Sequence, residues 1–267
     1  MSRFCVWTFV AVSGWAAASA PAPTIRVAAA SDLQAALPVI AAQFQKDTGV
    51  TVALTFGSSG NFFAQIQNGA PFDLFLSADI EYPRQLERAG LADSNSLAAY
   101  ATGRLVLWTR ADSGIDLRAG LSSLVDARVR RIAIANPAHA PYGRAAVAAL
   151  RHEGLYERVQ SKLVLGENIS QAAQFAQSGN ADVGLLALSV ALAPTMKSSG
   201  SYVEVPAALH PAIEQAAVVL ASSSQKAAAQ RFLAMLTSAE GQRILQSYGF
   251  ARPPGGLTSR PGFARRN

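Results

Sequence analysis

Short β-rich runs alternate with helical periods along most of the chain, and many of the runs end in small or hydroxyl residues. Residues 24–29 read as a strand, after which Leu33, Leu37, Ile40 and Phe44 recur at helical spacing. Residues 50–56 predict a second strand, 62–67 a helix stopped by Asn68-Gly69, 74–77 a third strand and 82–88 a helix ended at Gly90. A strand at 104–108 leads into a turn rich in Gly and Asp, and the alternation then restarts. Strands are expected at 131–135, 162–165 and 183–188, with helices at 143–150 and 170–177. A further strand at 216–221 and one long helix at 227–246 close the pattern. This βαβα order implies an α/β protein in two successive units, each a mostly parallel sheet with helices on both faces. Pro38 falls within the first helical period, where it removes a backbone hydrogen bond and clashes one turn back, so a bend or a restarted helix is expected there.

The first 20 residues change how the chain is delimited. Arg3 is their one charge, residues 4–12 are nearly all apolar, and Ala18-Ser19-Ala20 fits a signal-peptide cleavage pattern. The apolar stretch is shorter than the roughly 20 residues a membrane span needs. An exported protein beginning near residue 21 is therefore expected. Cys5 lies in the removed segment, so disulfide and thiolate chemistry are not expected in the mature chain. Residues 21–267 suffice for one large domain or two α/β lobes. The net charge of +6 comes from scattered residues, apart from Arg128, Arg130, Arg131 and the tail pair Arg265-Arg266, which argues against a nucleic-acid partner. Residues 253–267 are rich in Pro, Gly and Arg and are expected to be mobile.

Four strand-to-helix junctions carry the candidate chemistry: 30–32, 57–60, 141–143 and 167–170. Open α/β sheets bind ligands at such junctions, and a helix N-terminus presents unpaired N–H groups that hold an anion without a formal cation. Ser31 and Gln34 have the spacing of a capping box, and Ser58 and Ser59 sit between two glycines. Each loop alone is also explained by capping or turn formation, and Tyr142 by packing in a turn. His139, His152 and His210 are far apart and read as surface or capping residues, and Asp73 as a turn residue before a strand. The segment 57–61 lacks the second glycine of a nucleophile elbow, and phosphate-loop, zinc-protease and dinucleotide motifs are absent from the sequence. Nothing in the pattern demands an enzyme.

The segments AAASDL (28–33), TFGSSGNFFAQIQNGAPFDLFLSAD (55–79), ANPAHAPYGRAA (135–146) and QSYGF (246–250) together resemble the periplasmic molybdate-binding proteins of ABC importers. The resemblance runs in order over nearly the whole mature chain. It implies a two-lobed, Venus-flytrap (type II) periplasmic-binding-protein fold with crossing hinge strands. The implied boundaries are a signal peptide at 1–20, lobe 1 at 21–104, lobe 2 at 105–210 and a return to lobe 1 at 211–267. It also implies a tetrahedral oxyanion, molybdate or tungstate, in the cleft, no cofactor, a membrane permease as partner and a periplasmic, monomeric protein.

Residue by residue, Ser31 matches the hydroxyl after the first strand, and Ser59 the donor of the second loop, with Ser58 its neighbour. Tyr142 matches a donor in the proline-containing loop and Ile169 an aliphatic residue giving a backbone N–H. Asp32 stands where some relatives have Asn, so its backbone N–H is the expected ligand. A tyrosine that reaches the anion in some members aligns near Ala187, and Tyr142 is expected to compensate. Two rivals remain: a binding protein for sulfate or thiosulfate, and a secreted hydrolase using Ser31 or Ser59, which needs a histidine beside that serine.

Overall fold

The computed structural model describes residues 22–253, so the signal segment with Cys5 and the tail beyond Pro253 lie outside the described residues. The strands are β1 (Thr24–Ala30), β2 (Thr51–Gly57), β3 (Leu74–Ser77), β4 (Ala98–Gly103), β5 (Leu105–Arg110), β6 (Ile132–Ala135), β7 (Leu163–Gly166), β8 (Val183–Ala187), β9 (Gly200–Glu204) and β10 (Ile213–Val219). The helices are α1 (Leu37–Thr48), α2 (Ser59–Gln67), α3 (Glu81–Arg88), α4 (Pro141–His152), α5 (Tyr156–Val159), α6 (Ile169–Ser178), α7 (Leu188–Ala191), α8 (Pro194–Ser199), α9 (Lys226–Thr237) and α10 (Ala239–Ser247).

The strands form two five-stranded sheets, in the orders β2-β1-β3-β10-β4 and β7-β6-β8-β5-β9. Each has a parallel trio: β1 between β2 and β3, and β6 between β7 and β8. Neither sheet is as parallel as the alternation predicts. The strand that joins each trio from the other lobe, β10 or β5, runs antiparallel to both its neighbours. The crossings fall between β4 and β5 and between β9 and β10, so each lobe is completed by chain that has passed through the other.

The first sheet is buried on both faces, as helix-covered parallel strands must be. Ile25, Val27 and Ala29 pack with Phe44 of α1 and Phe232 of α9, whereas Ala28 packs on the opposite side with Phe62 of α2 and Leu86 of α3. The second core runs from Trp108 through Leu185 and Ala146 and takes in Ala30, Ala78 and Ile213 from the first lobe.

Local chemistry explains where elements differ from expectation. A 3-10 turn at Ser31–Leu33 precedes α1, and Pro38 lies in the first turn of α1, where its missing N–H costs nothing. The expected restart therefore occurs. The single C-terminal helix does not form: Ser238 is extended at φ −66° and ψ 165°, its hydroxyl accepts from the Gly241 N–H at 3.2 Å, and α10 starts anew. β4, built of AAYATG, has weak strand propensity and is held by its ladder to β10.

Candidate functional site

The carboxyl ends of β1, β2, β6 and β7 meet between the sheets, and their loops close on one small cavity. Its lining includes Ser31, Asp32, Ser58, Ser59, Tyr142 and Ile169, so all six sequence-derived positions come together. Each is at least nine-tenths buried. The cavity measures about 10 Å³, room for one water-sized sphere, and its lining includes no Lys or Arg.

The three hydroxyls are set differently. Ser31 opens the 3-10 turn, and its carbonyl, not its hydroxyl, closes the turn by accepting from the Gln34 N–H at 3.2 Å. The expected capping box with Gln34 does not form: no side-chain cap is made, and Gln34 instead accepts from the Ser170 hydroxyl at 2.7 Å. The Ser31 hydroxyl has no protein partner among the described residues and faces the cavity. Ser59 accepts from the Ala78 N–H at 2.9 Å, which leaves its hydrogen to donate. Ser58 caps α2, accepting from the Asn61 N–H at 3.4 Å, and lies 2.9 Å from Nδ1 of His139.

Three helices of the trio loops, α2, α4 and α6, start at the cavity and aim their N-terminal partial charge at it. At α6 the Asn168 side chain accepts from the amides of Ser170 and Gln171, at 3.0 and 3.1 Å, and leaves the Ile169 amide uncapped. At α4 Tyr142 is buried, with its hydroxyl 3.3 Å from Nε2 of Gln215. A Cβ on Gly103 would lie 2.2 Å from that hydroxyl, so glycine at the first crossing makes room for it. Ala187, at the end of β8, contributes no donor side chain, as expected.

Asp32 is the cavity's one acid. Burial pushes its carboxyl up to about 6, against hydrogen bonds from Gln215 and Tyr142 that pull it down. Oδ2 accepts from Gln215, and Oδ1 is buried without a partner. Burial, with the Asp32 charge adding to it, drives the hydroxyls of Tyr100 and Tyr142 well above their ordinary value, so both are neutral.

Sequence reasoning read His139 as a surface or capping residue; the structure places it between the lobes. Besides Ser58, its carbonyl accepts from the Gly60 N–H at 2.9 Å, and its Nε2 lies 3.7 Å from Glu167, which also accepts from Asn61. His139 sits within a segment that carries the resemblance, but no sequence spacing shows which loops face it. Arg144 of α4 pairs with Asp79 and reaches the Tyr82 hydroxyl at 3.1 Å on the other side. Ser170 donates to the Ser31 carbonyl at 3.1 Å, and Ser189 to the Asp32 carbonyl at 2.8 Å. The lobes are therefore closed on one another around the cavity.

Asp73 is also more than a turn residue: it is buried, accepts from the Arg26 N–H and the Ser223 hydroxyl at 2.7 Å each, and ties β1 to β3. No histidine hydrogen-bonds Ser31 or Ser59 among the described residues; the serine beside a histidine is Ser58, 2.9 Å from Nδ1 of His139.

Comparisons with known proteins identify the family and the fold. The model of the bacterial extracellular solute-binding proteins matches residues 25–251. The molybdate-binding protein ModA of Azotobacter vinelandii is 40% identical over 238 residues, which cover 89% of this chain and 94% of that protein. That of Rhodobacter capsulatus is 40% identical over 211 residues, 79% of this chain and 81% of that protein. The solved structure of the Azotobacter vinelandii periplasmic molybdate-binding protein superposes with a TM-score of 0.81 at 36% identity, covering 86% of this chain and 99% of that one.

Proposed function

The chain belongs to the bacterial extracellular solute-binding proteins, in the group of the molybdate-binding proteins, and from that premise we propose that it captures molybdate and delivers it to the permease of an ABC importer. The observation that carries this reading is the cavity itself: hydroxyls, backbone N–H groups and three helix N-termini converge on it with no Lys or Arg in its lining. Such a site suits a tetrahedral dianion, which accepts hydrogen bonds from every direction and gives none. Tungstate shares that shape and charge and is the second ligand of this reading.

Ser31, Ser58 and Ser59 stand on the first lobe, and Tyr142 and Ile169 on the second. An anion seated on the first lobe gains the α4 and α6 donors only when the lobes close, and that difference drives closure. Tyr142 can serve by turning its one O–H hydrogen from the Asp32 carboxyl to the anion, while Gln215 donates to its oxygen. A protonated oxyanion such as hydrogenphosphate places its own O–H against another donor and is disfavoured. Sulfate has the same charge and shape, so discrimination against it rests on the size the cavity takes around a bound anion. Binding needs no bond to be made or broken, so the protein works as a carrier and not as an enzyme. Residues 1–20 act as the export signal, the mature protein is periplasmic and monomeric, and the permease reads the closed form.

Calorimetric titration of ligand-stripped protein with molybdate, tungstate, sulfate and phosphate tests the reading. Tight binding of the two metal oxyanions alone is expected. Tighter binding of sulfate or phosphate than of molybdate contradicts it.

A further inference from the structure

The cavity that suits a dianion is lined by Asp32, whose buried carboxyl stands beside it, and the two negative charges conflict. Asp32 is 1% exposed, has no Lys, Arg or His within ion-pair distance among the described residues, and leaves Oδ1 unpartnered. We propose that capture is proton-coupled through Asp32: its carboxyl is ionised in the open cleft and neutral once the lobes close over the dianion. Each anion thus enters with one proton taken from solvent. This deepens the oxyanion reading above and rests on it.

The surroundings offer the carboxylate no counter-charge: burial raises the carboxyl, and the hydrogen bonds from Gln215, Tyr142 and the Asp32 and Leu33 amides only partly offset it. Gln215 of β10 and Tyr100 of β4 approach from the first sheet, Tyr142 from α4, and the Ser189 hydroxyl of α7 covers the Asp32 carbonyl. α6 contributes Ile169 and Ser170, and β2 ends in Gly57 and Ser58. None of these is cationic. Titratable groups further out are His139 and Glu167, which face each other at 3.7 Å beyond Ser58, and Asp79 with Arg144, an ion pair beyond Ala78. Closure is what buries Asp32, because the Ser189 and Tyr142 contacts come from the second lobe. Oδ2 is committed to the Gln215 amide, so the proton goes to Oδ1. The carboxyl is pushed up to about 6 without any anion, and a dianion alongside moves it further in the same direction.

The coupling also bears on selectivity. A carboxylate offers lone pairs that could accept from a protonated oxyanion, whereas a carboxylic acid offers a hydrogen. Protonation on closure removes the charged acceptor and leaves a shell of donors and neutral groups, which favours the fully deprotonated ligand.

Titration with molybdate at about pH 7.5 in two buffers of different ionisation enthalpy counts the protons. The parent is expected to take up close to one per anion and the Asp32→Asn variant close to none. Between about pH 7 and 8.5 the parent Kd should weaken by nearly tenfold per pH unit, while that of the variant stays flat. His139→Gln should keep the uptake. The carboxyl carbon resonance of Asp32 in the parent, followed by NMR, should shift to the protonated position on adding molybdate, a readout that does not depend on any variant folding. Absence of uptake in the parent, its survival in Asp32→Asn, or its loss in His139→Gln overturns the proposal. Binding without uptake overturns this inference alone, whereas failure to bind any oxyanion overturns the carrier reading with it.

Discussion

A hydroxyl oxygen that already accepts one hydrogen bond still has its hydrogen to give, and Ser59, fixed by the Ala78 N–H, is in that position. Ser31 has no such anchor. The two serines should therefore respond differently to removal. Ser31→Ala is expected to weaken molybdate binding roughly ten- to a hundredfold, the worth of a hydrogen bond to a charged group, with the ligand-free melting temperature unchanged. Ser59→Ala should lose as much affinity and in addition about 1 kcal/mol of stability, because the Ala78 amide is left unpaired. Calorimetry and thermal melts of both variants check this; equal stability loss in the two would contradict it.

Asp32 makes a separate prediction about folding. Its carboxyl goes from the ordinary 3.8 to about 6 in the folded protein, so the folded state binds the proton more tightly. That contribution is fully present below 3.8 and is lost as pH rises through about 6. Asp32→Asn should therefore be more stable than the parent at about pH 8, by up to about 3 kcal/mol, with the gap closing toward about pH 4. Urea unfolding at the two pH values measures it, and a pH-independent gap would contradict the assignment. At this scale the sequence exposed Ser31, Ser59, Tyr142 and Ile169 because each stands at a helical turn following a strand, the first three within segments that carry the resemblance. Gln215 was hidden as one polar residue in an otherwise apolar strand.

Helix N-termini supply the anion site with positive potential only where sheet edges bring them together. The alternation of strands and helices located α2, α4 and α6 within a few residues. It could not say which junctions face one another, because that depends on β5 and β10 crossing between lobes and inserting antiparallel. His139 shows the consequence. Its loop lies far from Ser58 and Glu167 in sequence, yet the three form a bridge between α2 and the β7–α6 loop. The bridge exists only with the lobes together, so His139→Ala should speed molybdate release several-fold while barely changing the association rate. Stopped-flow chase with excess tungstate measures this, and an unchanged release rate would remove the latch role. Gly103→Ala, at the first crossing, forces the Tyr142 hydroxyl aside and should weaken binding at least tenfold. β4 and the break at Ser238 escaped the sequence because ladder pairing and a single extended residue outweigh local propensity.

On the proposed reading, two lobes, each finished by strands from the other's side of the hinge, make ligand contact and shape change one event. The hydrogen bonds from Ser170 and Ser189 to the turn at Ser31 and Asp32, and the Arg144 pair with Asp79, all cross the cleft. Small-angle scattering should thus show the ligand-stripped protein contracting when molybdate is added, and an unchanged radius of gyration would contradict closure as the capture step. The two-lobe plan was legible in the sequence from the restarted alternation together with the ordered segments of resemblance. Cavity size was not, since it is set by how loops from both lobes meet.

The central claim is that one oxyanion is held between the lobes by neutral donors and helix N-termini. Anomalous diffraction at the molybdenum edge from crystals grown with molybdate tests it most directly. A single peak within hydrogen-bonding reach of Ser31, Ser59, Tyr142 and the Ile169 amide, with no cationic side chain touching it, is the predicted result. A peak elsewhere, or one coordinated by Arg144 or a Lys, would contradict the account.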